Sequence, residues 1–332
     1  MTSKTACLRR RDLLALAGAA AATAALPARA QTPAIPRGAP ATETVTGRAF
    51  GTVWRVTLPA GADAGRLGAP IADLLAGIDR RMSPWRADSE VSRFNAAPRG
   101  AVPVSPDTAA VARAALAVAR ASGGAFDPAV GPLVARWGFG PIRGAAGAWT
   151  GLSAGEDELV KDDAGLTFDP CGIAKGHALD RMADLVAAQG GDFLIDLGGE
   201  LRAAGRHPEG RDWRIGIEDP RTGIEGLFAR LAPGPRAVAT SGRRAQGYDI
   251  GGVRIGHIID PASRRPAAGR LGSVTVLAAT GLAADGWATA LFAAGPAGPD
   301  MARAHGLSAL FLVETDAGLA PILTGDIADR LV

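Results

Sequence analysis

Asp169-Pro170-Cys171-Gly172-Ile173-Ala174-Lys175-Gly176-His177-Ala178-Leu179-Asp180 is the stretch from which the rest of the chain is best read. Before it, Gly165-Leu166-Thr167-Phe168 has the character of a buried strand. After it, Ala178, Met182, Leu185 and Val186 recur at helical spacing. Strand, glycine turn and helix start is where backbone N–H groups are left without partners and a phosphate can sit. Lys175 puts a point charge beside that turn. The pattern is neither GxGxxG nor GxxxxGK(S/T), so a plain strand–helix connection stays open beside a phosphate site.

The first 30 of the 332 residues read as an export leader. Arg9-Arg10-Arg11 precede an uncharged run from Leu13 to Leu26, and Ala28-Arg29-Ala30 is a small-x-small cleavage site. The run is too short to span a bilayer. Paired arginines before a mildly apolar, alanine-rich core look like a twin-arginine signal, a route for folded proteins into the periplasm. Cleavage after Ala30 removes five basic residues of 36 and one acidic residue of 33, leaving 31 against 32. The basic balance therefore belongs largely to the leader, and no nucleic-acid partner follows from it. Cys171 is left as the only cysteine, which excludes an internal disulfide; a small buried thiol is the expectation.

Residues 31–44 read as a Pro/Ala/Thr-rich tether, and 45–332 as one large domain. Val45 to Leu58 reads as a strand pair broken at Gly47-Arg48 and Gly51-Thr52. Ala69–Met82 reads as an amphipathic helix turning Ile71, Leu74, Leu75 and Ile78 inward. A polar loop is expected over Asp88–Asn95, an alanine-rich surface helix capped by Ser105 over Asp107–Ala121, and a surface insertion over 141–162. Strands are expected at Phe193–Leu197, Trp213–Glu218, Ala237–Thr240, Val253–Ile259, Ser273–Leu277 and, last, Ala309–Val313. A helix opens at Gly281. Strands and helices mix without a βαβ repeat, which predicts an α+β fold and not a Rossmann domain.

Asp285 and Thr289 stand four apart, one turn of helix, with both oxygens on one face. A carboxylate with a hydroxyl suits a hard cation such as Mg²⁺ or Ca²⁺, and no zinc-like His/Cys cluster exists. The same spacing also arises from an acid favoured near a helix N-terminus and a threonine bonded to its own helix. His257, in an apolar run before Asp260-Pro261, is either a core histidine bonded to a backbone carbonyl or a group for proton transfer. Phe50, Trp85 and Phe126 lie beside glycine or proline turns, where aromatics wall a flat ring or plug a core.

Taken together these segments resemble the ApbE family of FAD:protein FMN transferases. The resemblance rests on Phe50-Gly-Thr-Val-Trp54, Met82-Ser-Pro-Trp85, Asp88-Ser-Glu-Val-Ser-Arg-Phe-Asn95 and Gly124-Ala-Phe-Asp-Pro-Ala-Val-Gly-Pro-Leu133. It continues, in order, through Asp169 to Asp180, Ile195-Asp-Leu-Gly-Gly199, Ser241-Gly242, Gly256-His-Ile-Ile-Asp-Pro261 and Ala284-Asp-Gly-Trp-Ala-Thr289. It implies that FAD is split at its pyrophosphate, FMN is joined to a Thr or Ser hydroxyl of an acceptor protein, and AMP leaves. It also implies Mg²⁺ held by Asp285, Thr289 and the Gly172 carbonyl. FAD contacts are implied at Phe50, Trp85, Ala125, Phe126, Asp127, Asp169, Lys175, Asp180 and Ile259. His257 is the candidate for taking or orienting the acceptor proton, and with Asp285 it forms the candidate catalytic set. The acceptor expected for an exported member is a membrane-associated respiratory subunit, and the chain also resembles the accessory branch of nitrous-oxide reduction, whose members are exported in the same way.

Several positions depart from the usual pattern. Phe50 stands for Met, Trp85 for Tyr, His177 for Tyr, Pro170-Cys171 for Leu-Gly, Glu200 for Asn, and Arg243-Arg244 for Asp-Tyr. Ala288 stands where some relatives offer a second acid. Two other readings therefore accompany the transferase: an FAD pyrophosphatase, in which water replaces the hydroxyl, and a flavin-binding assembly factor without activity.

Overall fold

Eight strands form one antiparallel sheet whose spatial order follows the chain. In this computed structural model, which describes residues 42–251 and 253–332, the strands are β1 (Thr42–Ala49), β2 (Thr52–Pro59), β3 (Phe193–Leu197) and β4 (Glu200–Ala204). They continue with β5 (Ala237–Gly242), β6 (Leu271–Ala278), β7 (Ser308–Thr315) and β8 (Gly318–Thr324). Helices α1 (Gly68–Met82), α2 (Glu90–Ala96), α3 (Pro106–Ala121), α4 (Gly131–Arg136) and α5 (Ala174–Ala187) are all inserted between β2 and β3. Helices α6 (Gly281–Ala293) and α7 (Gly298–Ala304) are inserted between β6 and β7. The expected α+β class is what the chain adopts. The leader and most of the tether lie outside the described residues. No described helix is long and apolar enough to cross a membrane.

Strand side chains alternate between two faces, and here both are covered. On β5, Ala237 and Ala239 join the larger core under the helices. Val238 joins a smaller core on the other face, with Leu277, Leu310, Leu312 and Ile327. A hairpin of Ile215–Glu218 and Leu227–Leu231 covers that second face.

The sheet begins three residues earlier than expected, at Thr42, so the last part of the supposed tether is strand. Its first hairpin turns once, at Phe50-Gly51, and is continuous through Gly47. Gly47 faces Trp54 across the pair, and a Cβ there would meet the indole at 2.4 Å. The glycine is a seat for the ring, not a break.

Other expectations need correcting. The polar segment after Asp88 is helix α2, because Val91 and Phe94 share a buried face and the Ser89 hydroxyl accepts the Ser92 N–H at 3.0 Å. Helix α3 is capped by Ser105 as expected but is internal: Ala109, Ala112, Ala115 and Ala119 are buried. Within 141–162, Leu152–Ala154 and Glu158–Lys161 form a three-stranded sheet with Gly100–Pro103. Leu166, Thr167 and Phe168 are buried but belong to no strand. The Asn95 side chain holds that segment, accepting from the Phe168 N–H at 2.7 Å and donating to its carbonyl at 3.0 Å. Strand β8 had no counterpart in the sequence reading, since its half-exposed residues give no apolar alternation.

Candidate functional site

The glycine turn at 172 and helix α6, more than a hundred residues apart, meet. The Thr289 hydroxyl donates to the Gly172 carbonyl at 3.3 Å, and an Asp285 carboxylate oxygen accepts the Gly176 N–H at 2.9 Å. Contact this close requires missing side chains. A Cβ on Gly176 would lie 2.1 Å from the Gly281 carbonyl oxygen, and one on Gly172 would lie 3.0 Å from the Phe126 ring and 3.1 Å from the Thr289 methyl. Asp180, one turn further along α5, accepts the Gly281 and Leu282 N–H groups at 2.7 and 2.9 Å and pairs with Arg202. It thereby caps α6, together with Thr280. Its visible partners are thus the helix start and an arginine.

The other members gather around this junction. Asp169 is buried, accepts the Cys171 N–H at 3.0 Å and donates its own N–H to the Pro128 carbonyl at 2.7 Å. This links the pivot to the loop of Ala125, Phe126 and Asp127. Asp127 accepts the Ala129 N–H at 2.7 Å, and burial pushes its carboxyl up to about 6. Phe126 is buried in the large core, with a ring carbon packed against Gly172. The Ser241 hydroxyl, at the end of β5, stands 3.4 Å from the Thr289 hydroxyl. It belonged to a recognised motif, yet nothing in its spacing gave it a partner.

Lys175 pairs with Glu200 at 2.7 Å, and Glu200 is buried with its second carboxylate oxygen unpartnered among the described residues. Burial lowers the ammonium, but Glu200 and Asp285 outweigh it and hold its pKa above the ordinary value. Burial pushes the Asp285 and Glu200 carboxyls up, against the pull of Lys175. Phe50, at positive φ, packs partly against the large core in the turn before Thr52, and Thr52 in turn lies against Gly198 beside Glu200. Ile259 is buried in a short pairing with Pro266. Trp85 is 64% exposed, and none of the site contacts above involves it. Cys171 is exposed as a residue, not the small buried thiol expected from the sequence.

His257 is in the bend between Val253–Gly256 and Ile259–Asp260, not within a strand. Its Nδ1 stands 3.3 Å from the Gln246 carbonyl oxygen. A carbonyl only accepts, so Nδ1 carries the proton and Nε2 is left as a base. Burial lowers the pKa of the ring, the Gln246 carbonyl opposes this, and the Lys175 charge lowers it further. The ring is therefore neutral near pH 7.

The arrangement offers one carboxylate, one hydroxyl and one carbonyl at a junction, a lysine paired beside them with Glu200, and, on a separate bend, a neutral imidazole. The family model described as the ApbE family matches residues 50–311. FAD:protein FMN transferase from Klebsiella pneumoniae is 34% identical over 313 residues, covering 87% of this chain and 89% of that protein. The Vibrio cholerae protein of the same name is 36% identical over 294 residues, covering 82% and 88%. Among solved structures, flavin transferase ApbE from Vibrio cholerae superposes with a TM-score of 0.78 at 32% identity, over 88% of this chain and 100% of that one. The apo form of Pseudomonas stutzeri flavinyl transferase ApbE gives 0.78 at 32%, over 88% and 97%.

Proposed function

Because this chain belongs to the ApbE family, we propose that it transfers FMN from FAD to a Thr or Ser hydroxyl of a protein acceptor, with Mg²⁺ and with release of AMP. It is an FAD:protein FMN transferase. The observation that carries the reading is the contact of Thr289 with the Gly172 carbonyl beside the buried Asp285, which makes one oxygen site of two distant segments.

The donor set fits a magnesium ion. It consists of hard oxygens from Asp285, Thr289 and Gly172, a small set of the kind Mg²⁺ uses when substrate phosphates complete its shell. Bound there, Mg²⁺ supplies charge neutralisation at the pyrophosphate.

The chain's own residues do the rest. Lys175 binds the phosphates, so it must exchange Glu200 for substrate or share itself between them; at the α5 start the Ala174 and Gly176 N–H groups are already bonded to the Pro170 carbonyl and Asp285. Phe126 and the Asp127 loop line the dinucleotide beside Gly172. The acceptor oxygen bonds to the FMN phosphorus while the bond to the bridging oxygen breaks, and AMP leaves with that oxygen. The acceptor proton passes to His257 Nε2. Alignment and fixed charge supply most of the acceleration, since phosphoryl transfer asks for little covalent chemistry from the protein.

The leader of residues 1–30 supports export by the twin-arginine route and action in the periplasm, on a membrane-associated electron-transfer subunit. Incubation of the mature protein with FAD, Mg²⁺ and a Thr-containing acceptor tests the reaction. Covalent in-gel flavin fluorescence with AMP is the expected outcome. AMP with free FMN makes the protein a pyrophosphatase, and bound, unchanged FAD makes it a carrier.

A further inference from the structure

His257 has one hydrogen bond to the protein among the described residues, and a half-buried ring on a bend needs more than that to hold one orientation. What packs against it comes from an unexpected place. Phe139, in the Trp137-Gly138-Phe139-Gly140 loop after α4, sets its ring edge-on to the imidazole, with centroids 6.2 Å apart and planes at 64°. Phe139 is itself stacked on Tyr248, at 5.2 Å and 17°. The Tyr248 hydroxyl donates to the Trp137 carbonyl at 3.0 Å. Tyr248 is the chain's single tyrosine and belongs to the hairpin Gly247–Ile250/Val253–Gly256, which leads directly into His257. Gln246, whose carbonyl holds Nδ1, is two residues from Tyr248. Both restraints on the imidazole therefore return to residues 246–248, and the Trp137–Phe139 loop closes the ring of contacts.

We propose that Phe139 and Tyr248 form an aromatic clamp that positions His257, fixing the ring with Nδ1–H on the Gln246 carbonyl and Nε2 toward the acceptor hydroxyl. Each contact has a separate part. The edge-on Phe139 ring limits rotation of the imidazole, and offset or edge geometries at these separations are the attractive ones for aromatic pairs. The Tyr248 stack keeps Phe139 from folding away, and the bond to Trp137 ties hairpin to loop. Neither residue touches the reacting atoms. They are positioning residues, and their effect falls on the orientation of the base rather than on substrate binding. The proposal rests on His257 acting as the proton acceptor.

The test compares Phe139→Ala, Phe139→Tyr, Tyr248→Phe and His257→Asn with the wild-type mature protein. Three readouts are needed: long-range ¹H–¹⁵N spectra of the histidine rings, FAD affinity by fluorescence, and the rate of covalent flavin transfer to a Thr-containing acceptor. Wild type should show His257 as the Nδ1–H tautomer. In Phe139→Ala the tautomer signature should mix or broaden and kcat should fall by about ten- to a hundredfold, with KM for FAD changed less than about twofold. Phe139→Tyr should restore both. Tyr248→Phe, which keeps the stack and loses the tie, should fall between. If His257→Asn is inactive while Phe139→Ala keeps the wild-type tautomer and kcat, the clamp is overturned and the role of His257 stands. If His257→Asn transfers flavin at the wild-type rate, the base assignment falls and the clamp with it. A Phe139→Ala protein that loses FAD affinity in step with kcat also overturns the clamp, since that pattern means a collapsed site.

Discussion

Thr289 touches two groups, the Gly172 carbonyl and the Ser241 hydroxyl, and neither contact is readable from its neighbours in the chain. Its spacing from Asp285 was legible; what the pair faces was not, because the partners lie 117 and 48 residues away. Thr289→Val keeps the shape and removes the oxygen, so flavin transfer should drop at least about tenfold, roughly 1.4 kcal/mol of barrier, while Thr289→Ser keeps most of it. Initial rates of in-gel flavin labelling measure both; equal rates in Thr289→Val would remove the hydroxyl from the site. Asp127 gives a pH-dependent counterpart. Its folded pKa, about 6, stands above the ordinary 3.8 because it is buried. The folded protein therefore keeps a proton there that the unfolded chain releases first, and this contributes stability below about 4 that is lost as pH rises through 6. Asp127→Asn lacks that term while keeping the acceptor for Ala129. Its melting temperature relative to wild type should rise between pH 4.5 and pH 7; a constant difference would contradict the burial argument.

Helices α5 and α6 cross where Gly176 and Gly281 meet, each glycine leaving room for the other's backbone. This crossing puts the Asp285 carboxylate on the α5 start, so the site depends on two absent side chains as much as on those present. Gly176→Ala should cost about 1–3 kcal/mol, by pushing backbone against backbone, and should reduce flavin transfer beyond what the melt alone explains. Thermal denaturation beside the transfer assay separates the two; an unchanged melt would mean the helices are not in contact. The periodic apolar residues of α1 and α5 made those helices visible in the sequence, whereas α6 is buried around most of its circumference and carries no such period. Helix α2 was hidden by its polar surface, the 165–168 segment by a side-chain amide that stands in for a strand partner, and the Phe139–Tyr248 stack by 109 residues of separation.

For the molecule as a whole, the mixture of strands and helices predicted the α+β class, whereas the order of the sheet was not readable. An eight-stranded meander with its helices inserted after β2 and β6 depends on pairing register, which local pattern does not encode. That topology brings the glycine turn at 172 to the helix that carries positions 285 and 289, so the proposed cation-holding oxygen site for FAD depends on the whole fold. The direct measurement is covalent flavin transfer from FAD with Mg²⁺ to a Thr-containing acceptor by an Asp285→Ala protein whose melt shows it folded. The expected result is no fluorescent acceptor band under conditions where wild type labels the acceptor fully. A band of wild-type intensity would contradict the account.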